Sequence, residues 1–269
     1  MKDWNPSVSC IIATRNRKRI VDRAIGSVLD QIYPCTELLI IDDAGSDQTF
    51  EYLKKCYANH PEIAIFQNEK QMGPAATRNR GLDLANGQYV CFLDDDDQWL
   101  PNKIERQLTL AEERYDFITM TRAVYVLDGH SIFQYGPKIE AVTLRHLFRR
   151  NVIISVSPLI KTSLMRRVRF NTEMWCGEDY DAWIRILKGG ATTINLNEPL
   201  IVLHKTAGSS LNKMRKSKFR GRGQVYAKHK VLMNPQEKLL FHLMTLVKLA
   251  VPDPRYHQKR VQRLIGIAG

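Results

Sequence analysis

Residues 1–97 alternate between short, continuously apolar runs and amphipathic stretches, and this rhythm restricts the possible folds more than any other feature of the chain. The runs at 8–13, 37–41, 63–66 and 89–93 read as strands. Between them, residues 19–31 place Ile20, Ala24, Ile25 and Val28 on one helical face, and further helices are predicted over 49–59 and 74–85. A strand apolar on both faces must be covered on both, so the pattern predicts an α/β fold with a mostly parallel, Rossmann-like sheet between helices. Ligands of such sheets bind beyond the carboxyl ends of the strands.

Three of those ends carry polar residues of chemical interest: Thr14-Arg15-Asn16, then Asp42-Asp43, then the run Asp94, Asp95, Asp96 and Asp97. Two carboxylates at ~4 Å repel by about 1 kcal/mol in water and more when partly buried, so four in succession call for a counter-charge. Oxygen-only donors favour a hard divalent cation, Mg²⁺ or Mn²⁺, which keeps coordination positions open for substrate phosphates. The simpler reading is a solvated acidic turn, or the cap of a helix that begins near Pro101. Several such ends on one rim favour a nucleotide-diphosphate site over any single one.

The chain is long enough, at 269 residues and 44% hydrophobic, for one large domain or a domain with an appendage. Its +12 charge is uneven: residues 1–204 hold 25 Lys and Arg against 26 Asp and Glu, and residues 205–269 hold 15 against 2. A boundary is therefore expected near residue 205, with a basic extension that meets an anionic surface. Five scattered cysteines without CxxC spacing read as reduced structural thiols. Residues 1–6 lead directly into a strand pattern without an apolar leader, so a cytoplasmic protein is expected.

The motifs resemble family 2 glycosyltransferases, inverting enzymes of the GT-A fold that use nucleotide-sugar donors. Residues 9–16 resemble the opening strand of that family and Ile41-Asp42-Asp43-Ala44-Gly45-Ser46-Asp47 its DDxS loop. The segment 68–81, with Gly73, Arg78, Asn79 and Gly81, resembles its GxxxARNxG element, and 92–101 its DXD motif. The resemblance implies a nucleotide-sugar-binding half over 1–97, an acceptor half over 98–205 and a helical extension over 206–269. It implies that Asp43 accepts the imide N–H of a uracil, that Thr14 and Arg15 lie near base and ribose, and that Arg78 meets the base or the diphosphate. Asp96 is the implied metal ligand, with Asp94 and Asp95 on the donor side; the spacing also allows Asp95 and Asp97 in the DXD roles.

Gly177-Glu178-Asp179-Tyr180-Asp181 resembles the ED motif of the family, which makes Asp179 the implied base for the acceptor hydroxyl. Acidic residues also suit a helix N-terminus, a sufficient reason for Glu178 and Asp181. Trp175 and Trp183 offer flat faces to an acceptor sugar or fill a core. His204, after the apolar run 200–203, matches a histidine near the metal or diphosphate in related enzymes.

In the extension, residues 213–223 hold six cations, and Asn234-Pro235-Gln236-Glu237 predicts a capped helix to about Val251. That helix is apolar except for Lys238, His242, Thr245 and Lys248, and is too short to span a bilayer. Residues 213–269 are expected to lie on an anionic membrane at its inner face, consistent with a glycan or polyprenyl-diphosphate-linked acceptor in bacterial surface-polysaccharide synthesis. A phosphoacceptor module would also gather aspartates at parallel strand ends, but the order of motifs disfavours it. Nucleic acid is disfavoured as a partner because the basic tail lacks interleaved aromatics and the body is rich in aspartate.

Overall fold

A computed structural model describes the backbone of residues 4–127, 130–205 and 211–250, and the side chains of that set except 127, 130–135, 205, 211–218 and 247–250. The first half follows the predicted rhythm: β1 (Val8–Thr14), α1 (Val21–Leu29), β2 (Glu37–Asp42), α2 (Thr49–Cys56), β3 (Ile63–Gln67), α3 (Pro74–Leu84) and β4 (Tyr89–Asp94). Helix α2 stops earlier than its pattern suggests, because His60 precedes Pro61 and is driven out of helical conformation; residues 57–60 form a turn with His60 N–H donating to Tyr57 O at 3.2 Å.

The second half contributes β5 (Gln98–Trp99), α4 (Lys103–Ala111), β6 (Phe117–Met120), β7 (Ala123–Leu127), β8 (His130–Tyr135) and α5 (Leu144–Arg149). There follow β9 (Leu159–Lys161), α6 (Thr162–Val168), α7 (Glu178–Lys188), β10 (Thr193–Leu196), β11 (Ile201–Lys205), α8 (Leu211–His229) and α9 (Pro235–Ala250).

A seven-stranded sheet has the order β10-β6-β9-β4-β1-β2-β3, with β9 alone running against its neighbours β4 and β6. Its two faces are buried by different helices. Cys10, Ile12, Ile40 and Cys91 pack with Val21, Ile25 and Val28 of α1 and Ile104 of α4. Ile11, Leu39, Val90 and Phe92 pack with Leu82 of α3, Met165 of α6 and Trp183 of α7. Gly81 lets α3 lie close on β1, since a Cβ there would stand 2.6 Å from Ile11 Cγ2. A smaller sheet, β5-β11-β7-β8, sits beside the carboxyl end of β4. Trp183 is wholly buried, which makes it core, whereas Trp175 is 68% exposed.

The extension joins the second core, for Val225, Met233 and Phe241 are buried among the residues of α5, α6 and α7. Helix α9 begins with the predicted capping box: Glu237 N–H donates to Asn234 Oδ1 at 2.9 Å and Asn234 N–H to Glu237 Oε2 at 3.0 Å. Its orientation departs from the expected apolar face with a solvated polar stripe. Thr245 of that stripe turns inward to bond Arg222, while Leu239, Leu243 and Leu246 are exposed. The basic run lies within α8; side chains 213–218 and residues 251–269 lie outside the described set. Among the described residues no helix is long and apolar enough to cross a membrane.

Candidate active site

The carboxyl ends of β1, β2 and β4 lie side by side, with Thr14 in register with Asp42, and Ala13 with Asp94. Parallel pairing therefore brings the three polar strand ends onto one rim. After β1, Asn16 turns into the left-handed region (φ 57°), and its Oδ1 accepts the Ser46 N–H at 2.6 Å. The loops after β1 and β2 are thus tied together. Asp47 caps the first turn of α2 by accepting the Thr49 N–H at 3.0 Å.

Asp43, 5% exposed, accepts from Asn68 Nδ2 at 2.7 Å, Met72 N–H at 2.8 Å and Gly73 N–H at 2.9 Å. Burial raises the affinity of its carboxyl for a proton, but these donors outweigh burial and hold it below the usual carboxylate range. Two donors meet Oδ1 and one meets Oδ2, so the Oδ2 oxygen keeps acceptor capacity for a further N–H. Asp43 thereby shapes the 68–73 loop and lines the rim.

The four aspartates after β4 divide by direction. Carboxylate oxygens of Asp94, Asp96 and Asp97 converge within 4.8 Å of one another, an all-oxygen donor set suited to Mg²⁺ or Mn²⁺. Asp95 turns instead toward β1, where it accepts the Thr14 hydroxyl at 2.8 Å and pairs with Arg17 at 3.5 Å. Burial pushes the Asp95 carboxyl up to about 6, against the pull of Thr14 and Arg17 and with help from the charges of Asp96 and Asp94. Arg15 is exposed on the same loop.

His204, expected beside Asp96, is not one of the three converging groups. Its Nε2 lies 2.6 Å from Gln98 Oε1, and its backbone N–H donates to Asp97 Oδ1 at 3.0 Å. The pairing of β11 with β5 dictates this position, because it aligns Val202 with Gln98. His204 is thus tied to the aspartate loop through Asp97 and Gln98.

Arg78, on α3, is largely buried rather than solvated and reaches both β4 and α7. Its Nη2 donates to Asp94 Oδ1 at 2.8 Å and its Nη1 to Glu178 Oε1 at 2.9 Å, with the guanidinium 5.7 Å from the Phe170 ring centroid. Burial works against its charge, yet the adjacent Asp94 and Glu178 prevail and raise its proton affinity further. Beside this bridge lies Asp179, in the first turn of α7, with Asn151 Nδ2 donating to its Oδ2 at 3.3 Å. Burial first, and then the charge of Glu178, push the Asp179 carboxyl up to about 6 despite Tyr180 N–H and Arg78. A carboxylate with that affinity, ionised at neutral pH, can accept a proton from a bound hydroxyl.

The model of "Glycosyl transferase family 2" matches residues 9–171, more than half of the chain. The chain belongs to this family. The enzyme is 29% identical over 201 residues to the putative teichuronic acid biosynthesis glycosyltransferase TuaG of Bacillus subtilis, covering 74% of this chain and 79% of that protein. It is 30% identical over 195 residues to the UDP-Glc:alpha-D-GlcNAc-diphosphoundecaprenol beta-1,3-glucosyltransferase WfaP of Escherichia coli, covering 71% and 74%. Among solved structures it resembles residues 1–349 of S. aureus TarS in complex with UDP-GlcNAc, with TM-score 0.68 and 22% identity over 89% of this chain and 70% of that one. The mannosyltransferase PcManGT of Pyrobaculum calidifontis, solved with GDP-Man and Mn2+, covers 99% of this chain and 82% of its own at TM-score 0.65 and 15% identity. These likenesses show that this glycosyltransferase has the GT-A fold.

Sequence reasoning about the glycosyltransferase admitted Asp97 to the DXD roles without choosing it over its neighbours, and missed Glu178 as a partner of Arg78 and Asn151 beside Asp179. Asp97 was visible as a carboxylate in the same run. Glu178 and Asn151 carried no local signal, because their partners lie 100 and 28 residues away.

Proposed function

We propose that the enzyme transfers a sugar, with inversion and with a divalent metal ion, from a UDP-linked donor to a hydroxyl of a glycan or polyprenyl-diphosphate-linked acceptor in surface-polysaccharide synthesis. The observation that carries the reading is the convergence of Asp94, Asp96 and Asp97 within 4.8 Å, joined through Arg78 to the helix that bears Asp179. The names of TuaG and WfaP support the acceptor class, and the UDP-GlcNAc complex of TarS supports the donor class.

Asp94, Asp96 and Asp97 would hold Mn²⁺ or Mg²⁺. When bound, such an ion neutralises the charge that develops on the leaving diphosphate. Asp43 orients the base through the 68–73 loop and its remaining acceptor capacity on Oδ2, while Thr14 and Arg15 border the ribose. Asp179 takes the proton of the acceptor hydroxyl as its oxygen bonds to the anomeric carbon and the bond to the diphosphate breaks on the opposite face. Arg78 keeps Asp94 and Glu178 at a fixed separation, so donor and base sides share one rigid frame.

Calorimetric titration with UDP, GDP and CDP, with Mn²⁺ and then with EDTA, tests this reading. Micromolar binding of UDP that disappears with EDTA is expected. Binding of none of the three would overturn it.

The same enzyme is proposed to lie on the inner face of the cell membrane through residues 213–269. Leu239, Leu243 and Leu246 form an exposed apolar ridge on α9, next to a segment in which residues 213–223 hold six cations. Wild-type protein should sediment with anionic vesicles, and a triple Leu→Ser variant at 239, 243 and 246 should remain in solution. Equal sedimentation of the two would remove the proposal.

A further inference from the structure

Helix α8 belongs by charge to the basic extension, yet its second half packs on α7, the helix that carries Asp179. Asp181, two residues beyond Asp179 on α7, is wholly buried and surrounded by the cations of Arg185 and Lys228 and the imidazole of His229. Arg185, one turn further along α7, donates from Nε to Asp181 Oδ2 at 2.8 Å, with its Nη2 2.7 Å from the same oxygen. The other two come from α8: His229 Nε2 lies 2.8 Å from Asp181 Oδ1 and Lys228 Nζ lies 3.1 Å from the same oxygen. His229 is 5% exposed, so this contact is made away from water.

A second contact lies at the other end of the same segment. A Cβ on Gly221 of α8 would stand 2.2 Å from the Cys176 carbonyl oxygen, so only glycine allows α8 to lie directly on the backbone that enters α7. Gly177, the next residue, has φ +84° and its Cα region faces Val225 and Gly221 of α8. Gln224 Oε1 accepts the Trp175 N–H at 2.9 Å. Residues 175–181 are thus gripped by α8 on both sides of Asp179.

We infer that α8 is part of the catalytic apparatus: His229 and Lys228, acting through Asp181, and Gly221, acting through Cys176, are positioning residues that hold Asp179 where the acceptor hydroxyl arrives. The inference rests on the assignment of Asp179 as the base. A buried carboxylate with cations from two helices resists displacement, because removal of one partner leaves charge uncompensated in a low dielectric. A base displaced by about 1 Å can lose on the order of 100-fold in rate. Among the described residues Asp43 and Asp95 take their hydrogen-bond partners from residues 14–73 rather than from α8, so the loss is expected in turnover.

The test compares the full-length wild type with His229→Ala, His229→Gln and the milder Lys228→Met. Three measurements are made on each: amide exchange over 176–182, UDP affinity with Mn²⁺, and UDP release from the best-bound UDP-sugar with a GlcNAc-diphospholipid as acceptor. In His229→Ala, exchange should rise about tenfold or more and kcat fall about 10- to 100-fold, with donor KM and UDP affinity within about twofold of wild type. His229→Gln, which keeps a donor at a similar reach, should restore both; Lys228→Met should show the same pattern at smaller amplitude. Unchanged exchange and kcat in His229→Ala would overturn the inference, as would a loss of kcat that tracks a parallel loss of UDP binding. A wild type that releases UDP from no UDP-sugar would count against the proposed function instead, and the exchange data would still decide whether α8 holds the segment.

Discussion

Arg78 Nη1 lies 2.9 Å from Glu178 Oε1, joining two residues one hundred positions apart. The same guanidinium reaches Asp94 with its other terminal nitrogen at 2.8 Å, so one planar fork sets the spacing between the aspartate loop and the helix of Asp179. Arg78→Lys keeps the charge but replaces the fork by a point, which cannot span both carboxylates. Turnover should fall about 10- to 100-fold in this variant while the fold is retained. Arg78→Ala should also lower stability by about 2–4 kcal/mol, because Asp94 and Glu178 are left facing each other without compensation. Steady-state kinetics and thermal unfolding check both, and wild-type behaviour in Arg78→Lys would show that the fork is dispensable.

The pH dependence of turnover should report Asp179. Its carboxyl is pushed up to about 6, so the active ionised form is lost as pH falls through that value, and kcat should drop about tenfold per pH unit below it. Glu178 contributes to this elevation through its charge, so Glu178→Gln should move the limb to lower pH. A limb that does not move would assign the titration elsewhere, for instance to Asp95, whose carboxyl is also raised to about 6.

The division of the aspartate run predicts a division of metal binding. Asp96→Asn and Asp97→Asn should each weaken Mn²⁺ binding by at least about tenfold and abolish turnover, since both belong to the converging set. Asp95→Asn should leave Mn²⁺ affinity within about twofold, because its carboxylate is directed at Thr14 and Arg17. Calorimetry with Mn²⁺ alone separates the cases, and a Mn²⁺ defect in Asp95→Asn equal to that in Asp97→Asn would contradict the observed directions.

Asp181 should contribute to acid stability. Burial favours its protonated form, but His229, Arg185 and Lys228 bring the carboxyl down to about 2 from its ordinary 3.8. A folded value below the unfolded one means stability that is fully present above about pH 4 and is lost as pH falls toward 2, worth about 2–3 kcal/mol. Asp181→Asn should flatten this slope in denaturant unfolding measured between pH 2 and 5, and should cost about 3–5 kcal/mol at neutral pH because the buried cation pairing of Arg185 and Lys228 is lost. An unaltered slope would place the acid sensitivity in other carboxylates.

Much of residues 1–97 was legible because its signals are local. A strand buried on both faces is written as a continuous apolar run, and the alternation over residues 1–97 recurs in the order β1 to β4. The capping box at Asn234 and Glu237 was equally legible, since both partners lie within one turn. Residues 98–205 were less so. Strand β9 is three residues long and runs against its neighbours, and so short a stretch has no periodicity of its own. The orientation of α9 also escaped the sequence, for a nearly all-apolar helix can bury any side, and contact with Arg222 turns Phe241 and Thr245 inward.

From its sequence alone this chain can be read as a parallel α/β fold with carboxylates at adjacent strand ends and an acidic Gly-Glu-Asp helix start, because strand period, turn chemistry and motif order are properties of neighbouring residues. Tertiary structure decided which of those carboxylates face one another, that His204 turns to Gln98, that Arg78 ties Asp94 to Glu178, and that α8 grips the helix of Asp179. These are contacts between side chains tens of residues apart, set by how the helices pack on the sheet, and no local pattern encodes the direction in which a buried charge will find its partner.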